Sequence, residues 1–295
     1  MRKIMISMVT AGLLLGGALY ANEKAKEGAD AKEVSRIAVS NAKQDAKTGK
    51  TKLVQEAIDS LKFAHEAYLS LTKKDTKKAT QNLEKALGKL EVILSAEHAP
   101  KLLPIDSSVV VNEFAGNSKD VKLLVKQVQA LLDTGKVQEA RVLMQPLQSE
   151  IDITVVSLPL ASYPDALRLA AKYIQSEKPD EAQKVLAVAL NTFTEVTKII
   201  PIPLLKATDL IAIASETAQK DPKRAVRYLE AASESLNTAE ALGYVSRSET
   251  SYKMLHEKID AVKKEVKGAN KSEKLFDALK TKLKEFGDKV FSGKK

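Results

Sequence analysis

Apolar positions recur three and four residues apart over most of the chain, the spacing of one buried helix face. In "VKLLVKQVQALLDTG" Leu124, Val128, Leu131 and Leu132 share a side. Leu167, Ala170, Ala171 and Ile174 do so in "DALRLAAKYIQSEKP", and Leu210, Ile213 and Ala214 in "ATDLIAIASETAQKDP". A turn follows each run, and then Ala-x3-Leu-x2-Ala or a close variant. These are Ala79, Leu83, Ala86; Ala140, Met144, Leu147; Ala182, Leu186, Ala189; and Ala225, Leu229, Ala232. The leading alanines stand 61, 42 and 43 residues apart, so the last three units are nearly in step. Gly135 suits the left-handed stop of one helix, and Pro179 and Pro222 the first turn of the next. Alanines at a crossing let helices approach closely, so the pattern predicts antiparallel helical hairpins.

Proline-ended β-branched runs interrupt this pattern: "EIDITVVSLPLASYP" at 150–164 and "EVTKIIPIPLLKATD" at 195–209, with "SSVVVNEF" at 107–114 before the first regular unit. They lengthen the repeat to about 42 residues, beyond the 34 of the tetratricopeptide hairpin it otherwise resembles. Two readings are open. The second helix of each hairpin continues to Ser157 or Ile200 and stops at proline, or the run is a strand. Ile151, Ile153 and Val155 alternate with Asp152 and Thr154, and Val196, Ile200 and Ile202 share parity. β-branched side chains favour strands, and Pro159, Pro201 and Pro203 suit strand ends or an edge. The expected fold is mostly α: helical hairpins with a small two- or three-stranded sheet, the alternative being an all-α bundle.

The ends add location. Arg2 and Lys3, the apolar stretch Ile4 to Leu19, and Ala21 before the charge that begins at Glu23 have the three parts of a secretory signal. Its apolar core is shorter than the roughly 20 residues of a spanning helix. The expectation is cleavage after Ala21 and a periplasmic chain. Residues 22–50 then form a charged segment, helical or flexible, 51–245 the hairpin domain, and 246–295 basic C-terminal helices. The absence of cysteine removes disulfides and thiolate chemistry, so an ordinary hydrophobic core must hold the fold. With no tryptophan and 4% aromatics, a base-stacking or sugar-binding platform is poorly supplied. Thirteen lysines against seven acids over 253–295 place most of the formal charge of +9 in the tail. Export makes nucleic acid an improbable partner for that charge.

The stretches "LLPIDSSVVVNEFAG", "LLDTGKVQEARVLMQPLQSEIDITVVSLPLASYPDAL" and "EKPDEAQKVLAVALNTFTEVTKIIPIPLLKA" resemble the YfdX family of bacterial exported proteins. The matching marks are Leu-Pro at Pro104, Gly-Lys-x3-Ala at Gly135 to Ala140, Leu-Pro-Leu at 158–160 and Ile-Pro-Leu at 202–204. The likeness runs over about 55–240 and is strongest from Leu103 to Ala207. It implies a periplasmic, mostly helical stress-associated protein with no established reaction, and binding of small apolar compounds.

Catalytic signals are sparse. His65, His98 and His256 are far apart, and none has a second histidine at metal-binding spacing. A mixed site such as His98 with Asp106 or Glu113 is the metal arrangement left to consider. The acid pairs Glu150/Asp152 and Asp106/Glu113 lie beside the β-branched runs, where caps and solvated positions are the ordinary reading. Ser107 and Ser108 lack a nucleophile elbow, and no glycine-rich phosphate loop is present. In the tail, Phe276, Leu279, Leu283, Phe286 and Val290 form one apolar stripe among lysines. That stripe docks on its own bundle, joins a partner or second copy, or lies on a membrane surface. The expectation is a non-enzymatic binding or stress-protection protein without a cofactor, acting through apolar grooves between helices or through self-association. Alternatives are an enzyme with Asp106, Glu113 and Glu150 converging, and an envelope tether acting through the stripe.

Overall fold

The computed structural model describes residues 29–48, 54–96, 99–267 and 273–291. The expected leader, residues 1–21, lies outside the described residues, as do 22–28 and 49–50 of the segment after it. In chain order come α1 (Ala31–Thr48), α2 (Gln55–Thr72), α3 (Thr76–Leu94), β1 (Leu102–Asn112), α4 (Ser118–Asp133), α5 (Val137–Met144) and β2 (Glu150–Pro159). Then follow α6 (Tyr163–Gln175), α7 (Pro179–Ala189), β3 (Thr194–Pro201), α8 (Ile202–Thr217), α9 (Pro222–Ala241), α10 (Thr250–Lys267) and α11 (Glu273–Phe291). Among the described residues the protein is mostly helical, with one small sheet.

The four hairpins are α2–α3, α4–α5, α6–α7 and α8–α9. Their leading alanines, Ala79, Ala140, Ala182 and Ala225, are all 0% exposed, as close helix contact requires. The second hairpin is the loosest: Leu132 and Met144, expected to pack, are 40% and 44% exposed. Three of the four turns share one geometry. Lys74, Gly135 and Glu177 hold the same place in the repeat and take left-handed φ values of 60°, 72° and 58°. The following N–H reaches back into the finished helix, Asp75 to Ser70 O, Lys136 to Leu131 O and Lys178 to Tyr173 O. This stop satisfies carbonyls that the helix end leaves open. Asp75 and Asp221 then cap the next helices, accepting from the N–H groups of Lys78 and Arg224 at 2.9 Å each.

The β-branched runs are strands. β2 is central and β1 and β3 are edges of an antiparallel sheet. Thr154 and Thr197 share a hydroxyl hydrogen bond of 2.8 Å, and five residues earlier on β2's side Ser149 O accepts from the Ile202 N–H at 2.8 Å. Pro104, which has no N–H to donate, sits in an edge strand, and its carbonyl accepts from the Val54 N–H at 3.0 Å. Pro159 and Pro201 end their strands. Ile202 and Pro203 depart from the expected strand parity: they open α8, where a missing N–H interrupts no helical bond.

The described residues form two compact units, one from 29–48, 109–152 and 198–291, the other from 54–108 and 153–197. The first unit's core joins α8 and α9 to α1, α10 and α11, through Val34, Leu210, Leu229, Leu255, Ile259 and Phe276. The second unit's core joins α2–α3 to α6–α7, with Leu103 and Leu158 entering from the strands. The boundary expected at 245 therefore separates nothing, because the C-terminal helices complete the first unit. The segment at 22–50 also changes character: from Ala31 on it is a helix burying Val34, Ala38 and Val39.

Two glycines carry opposite expectations. Added methyls at Gly88, within α3, and at Gly135 both meet nothing within 4 Å. Gly88→Ala should then raise the urea midpoint by about 1 kcal/mol of stability. Gly135→Ala should lower it by about 1 kcal/mol, from left-handed backbone alone.

Candidate functional site

In the second unit, α6, α7 and the end of β2 line an apolar groove of about 460 Å³. Pro159, Tyr163, Ala166 and Leu169 line one side, Val185 and Val188 the other, with Asp165 and Lys184 at the rim. Leu169 and Val188 are 42% and 68% exposed, large apolar side chains facing an open groove. Tyr163 lines the same groove but is itself buried. Burial drives its hydroxyl far above the usual tyrosine range, with Ser60 nearby acting in the opposite direction. Neither hydroxyl makes a hydrogen bond of good geometry. Such a surface binds by area and shape and offers no nucleophile paired with a base.

The first unit holds a more polar cleft of about 560 Å³ among α1, the loop after β1, α8 and α9. Glu113 in that loop accepts an ion pair from Lys206 at 3.0 Å and a longer one from Lys43 at 3.9 Å. Glu234 accepts from the Ser118 N–H at 2.9 Å, tying α9 to the start of α4. Nearby, the Tyr244 hydroxyl accepts from the Ser149 N–H at 2.8 Å. Burial first, then the Glu150 carboxylate beside it, push that hydroxyl upward, against the backbone bond.

The expected acid and histidine candidates do not converge. Asp106 belongs to the second unit and is exposed, its Oδ1 accepting from the Ser107 N–H at 2.8 Å. Glu113 and Glu150 belong to the first, one in ion pairs and the other against Tyr244. Asp152 keeps a buried carboxylate oxygen without a partner, and burial raises its pKa. His65 is exposed on α2, and His98 lies outside the described residues. His256 is half-buried on α10, with Nδ1 3.1 Å from Ser233 Oγ and its ring 4.6 Å from that of Tyr252. Burial lowers its pKa. Among the described residues no three His, Asp or Glu side chains gather as metal ligands.

The tail stripe requires a correction as a free surface. Phe276, Leu279, Leu283 and Phe286 are buried in the first unit's core, and Lys280 donates to Ser215 on α8 at 3.0 Å. The apolar face that a partner or membrane would need is covered by the chain's own helices. Val290 lies in α11, its side chain outside the described residues. No helix among the described residues is long and apolar enough to cross a membrane.

Residues 61–199 match the family model described as YfdX protein. Over that stretch, a little under half of its length, the chain is similar to the YfdX family. The matched segment holds the whole α6–α7 groove, whereas α1, α8 and α9 of the polar cleft fall outside it. A solved structure of Salmonella Typhi YfdX is similar, at 16% identity over 51% of this chain and 93% of that one, with a TM-score of 0.35. No curated protein matches the chain.

One partly buried acid escaped the sequence reading, although an aspartate inside "LLKATDLIAIA" is its signal. Burial pushes the Asp209 carboxyl up to about 6 from 3.8. Between these values the unfolded chain releases a proton that the folded chain keeps, so stability falls as pH rises through that window. Asp209→Asn should flatten this slope and stabilise the protein at neutral pH by about 1–2 kcal/mol, read from urea midpoints across the window.

Proposed function

We propose that the protein is a non-enzymatic, exported binding or stress-protection module of the YfdX type that takes small apolar molecules in the α6–α7 groove. The observation supporting this is the open groove in which Leu169 and Val188 stand exposed beside Pro159, Ala166 and Val185. Its floor and walls supply contact area, and the rim charges Asp165 and Lys184 stay in water. The secretory pattern at the N-terminus supports a periplasmic location. Self-association is the second reading. It is favoured by the α4–α5 hairpin, where Leu123, Val137 and Val142 each stand exposed.

The groove is tested with the neutral fluorophore N-phenyl-1-naphthylamine. Titration should give saturable fluorescence enhancement that Leu169→Glu/Val188→Glu reduces at least tenfold in affinity, with an unchanged melting curve. Enhancement indifferent to the double substitution would remove the groove from the account. Export is checked separately: the periplasmic chain should begin at Asn22, and a chain retaining its first 21 residues would contradict the location.

A further inference from the structure

Two lysine amines from different helices meet on one carboxylate in the first unit's cleft. Lys206 comes from α8 and Lys43 from α1, and both face Glu113, 3.0 and 3.9 Å from its oxygens. The Glu113 side chain is 39% exposed, so charge rather than burial holds it there. Lys32 and Arg36, on the preceding turns of α1, line the same cleft. Arg36 pairs with Glu33 at 2.7 Å, and Lys32 makes no ion pair among the described residues. Four cations thus line the cleft against two lining carboxylates, Glu113 and Glu234, and with Glu33 on Arg36 one positive charge is left in excess. Glu234 is committed to the Ser118 N–H. The cleft is positive and has apolar wall at Ala31, Phe114 and Ala231. Its volume of about 560 Å³ falls in the range of small-molecule sites.

We propose that this cleft binds a small organic anion through a carboxylate or phosphate head, and that Glu113 fills the head-group position when the anion is absent. Lys43 and Lys206 already hold a carboxylate there, so an incoming oxyanion exchanges for one of the same chemistry. Glu113 is exposed enough to swing into water as it leaves. Lys32 and Arg36 raise the local concentration of anions. The apolar wall takes the body of the ligand. This site is separate from the α6–α7 groove and stands or falls without it.

The assignment makes an unusual demand: removing a side chain from the site must improve binding. Citrate and phenyl phosphate are titrated calorimetrically into the full chain at fixed ionic strength. At least one should bind, and Glu113→Gln should tighten it roughly two- to fivefold by deleting the internal competitor. Lys206→Gln should weaken it by a similar factor. Citrate alone binding identifies a carboxylate head, and phenyl phosphate alone a phosphate head. Lys32→Gln/Arg36→Gln, at exposed positions, should weaken binding while leaving the melting curve in place, which keeps the test independent of the folding of the Lys206 variant. Absence of heat with both anions, in wild type and in Glu113→Gln at millimolar concentration, overturns the proposal. So does binding that Glu113→Gln leaves unchanged or weakens.

Discussion

The structure depends on what happens to backbone hydrogen bonds where each hairpin ends. β-branched side chains crowd a helix and lose χ1 freedom there, so the runs at 150 and 194 do not prolong α5 and α7. Their N–H and C=O groups still need partners, and pairing three such runs with one another supplies them. Each strand then carries the chain from one unit to the other. α2–α3 and α6–α7 belong to the second unit, α4–α5 and α8–α9 to the first. Consecutive repeats therefore belong to different units, and α2–α3 packs with the repeat after next, α6–α7. The surplus that lengthens the repeat beyond a tetratricopeptide hairpin is the segment that makes it alternate.

Local chemistry was legible in the sequence wherever it is decided locally. Ala-x3-Leu-x2-Ala marks a helix crossing because only small residues permit it, and β-branched runs with terminal prolines mark strands. Glycine at 135 announces a left-handed turn, but the same turn at Lys74 and Glu177 carries no such announcement. What faces what was not legible. The stripe from Phe276 to Phe286 reads equally well as a membrane face, a partner face or a core face, since all three require the same spacing. Only the contacts with α8 and α10 decide among them. The division into two units also depends on contacts between residues far apart in sequence, which periodicity does not encode.

The two cavities differ in physical character. The α6–α7 groove is apolar and low in charge, so its affinity rests on area removed from water and changes little with salt. The α1–α8–α9 cleft is lined by lysine and arginine, and anything it holds is screened by salt. Neither contains a base aligned on a nucleophile, and the acids beside the strands are dispersed among ion pairs, turns and a tyrosine contact.

The alternation of repeats sets an order of events during synthesis. Every residue of the second unit has been made once Thr197 has emerged, and both of its hairpins can pack while the remainder is still being translated. The first unit holds both α1, made early, and α11, made last, in one core. The faces of α8 and α9 that α11 and α10 cover must therefore wait until those helices arrive. A chain cut short after α9 would keep one finished unit and one permanently open, and the C-terminal helices act as the closure of a core begun at the opposite end of the chain.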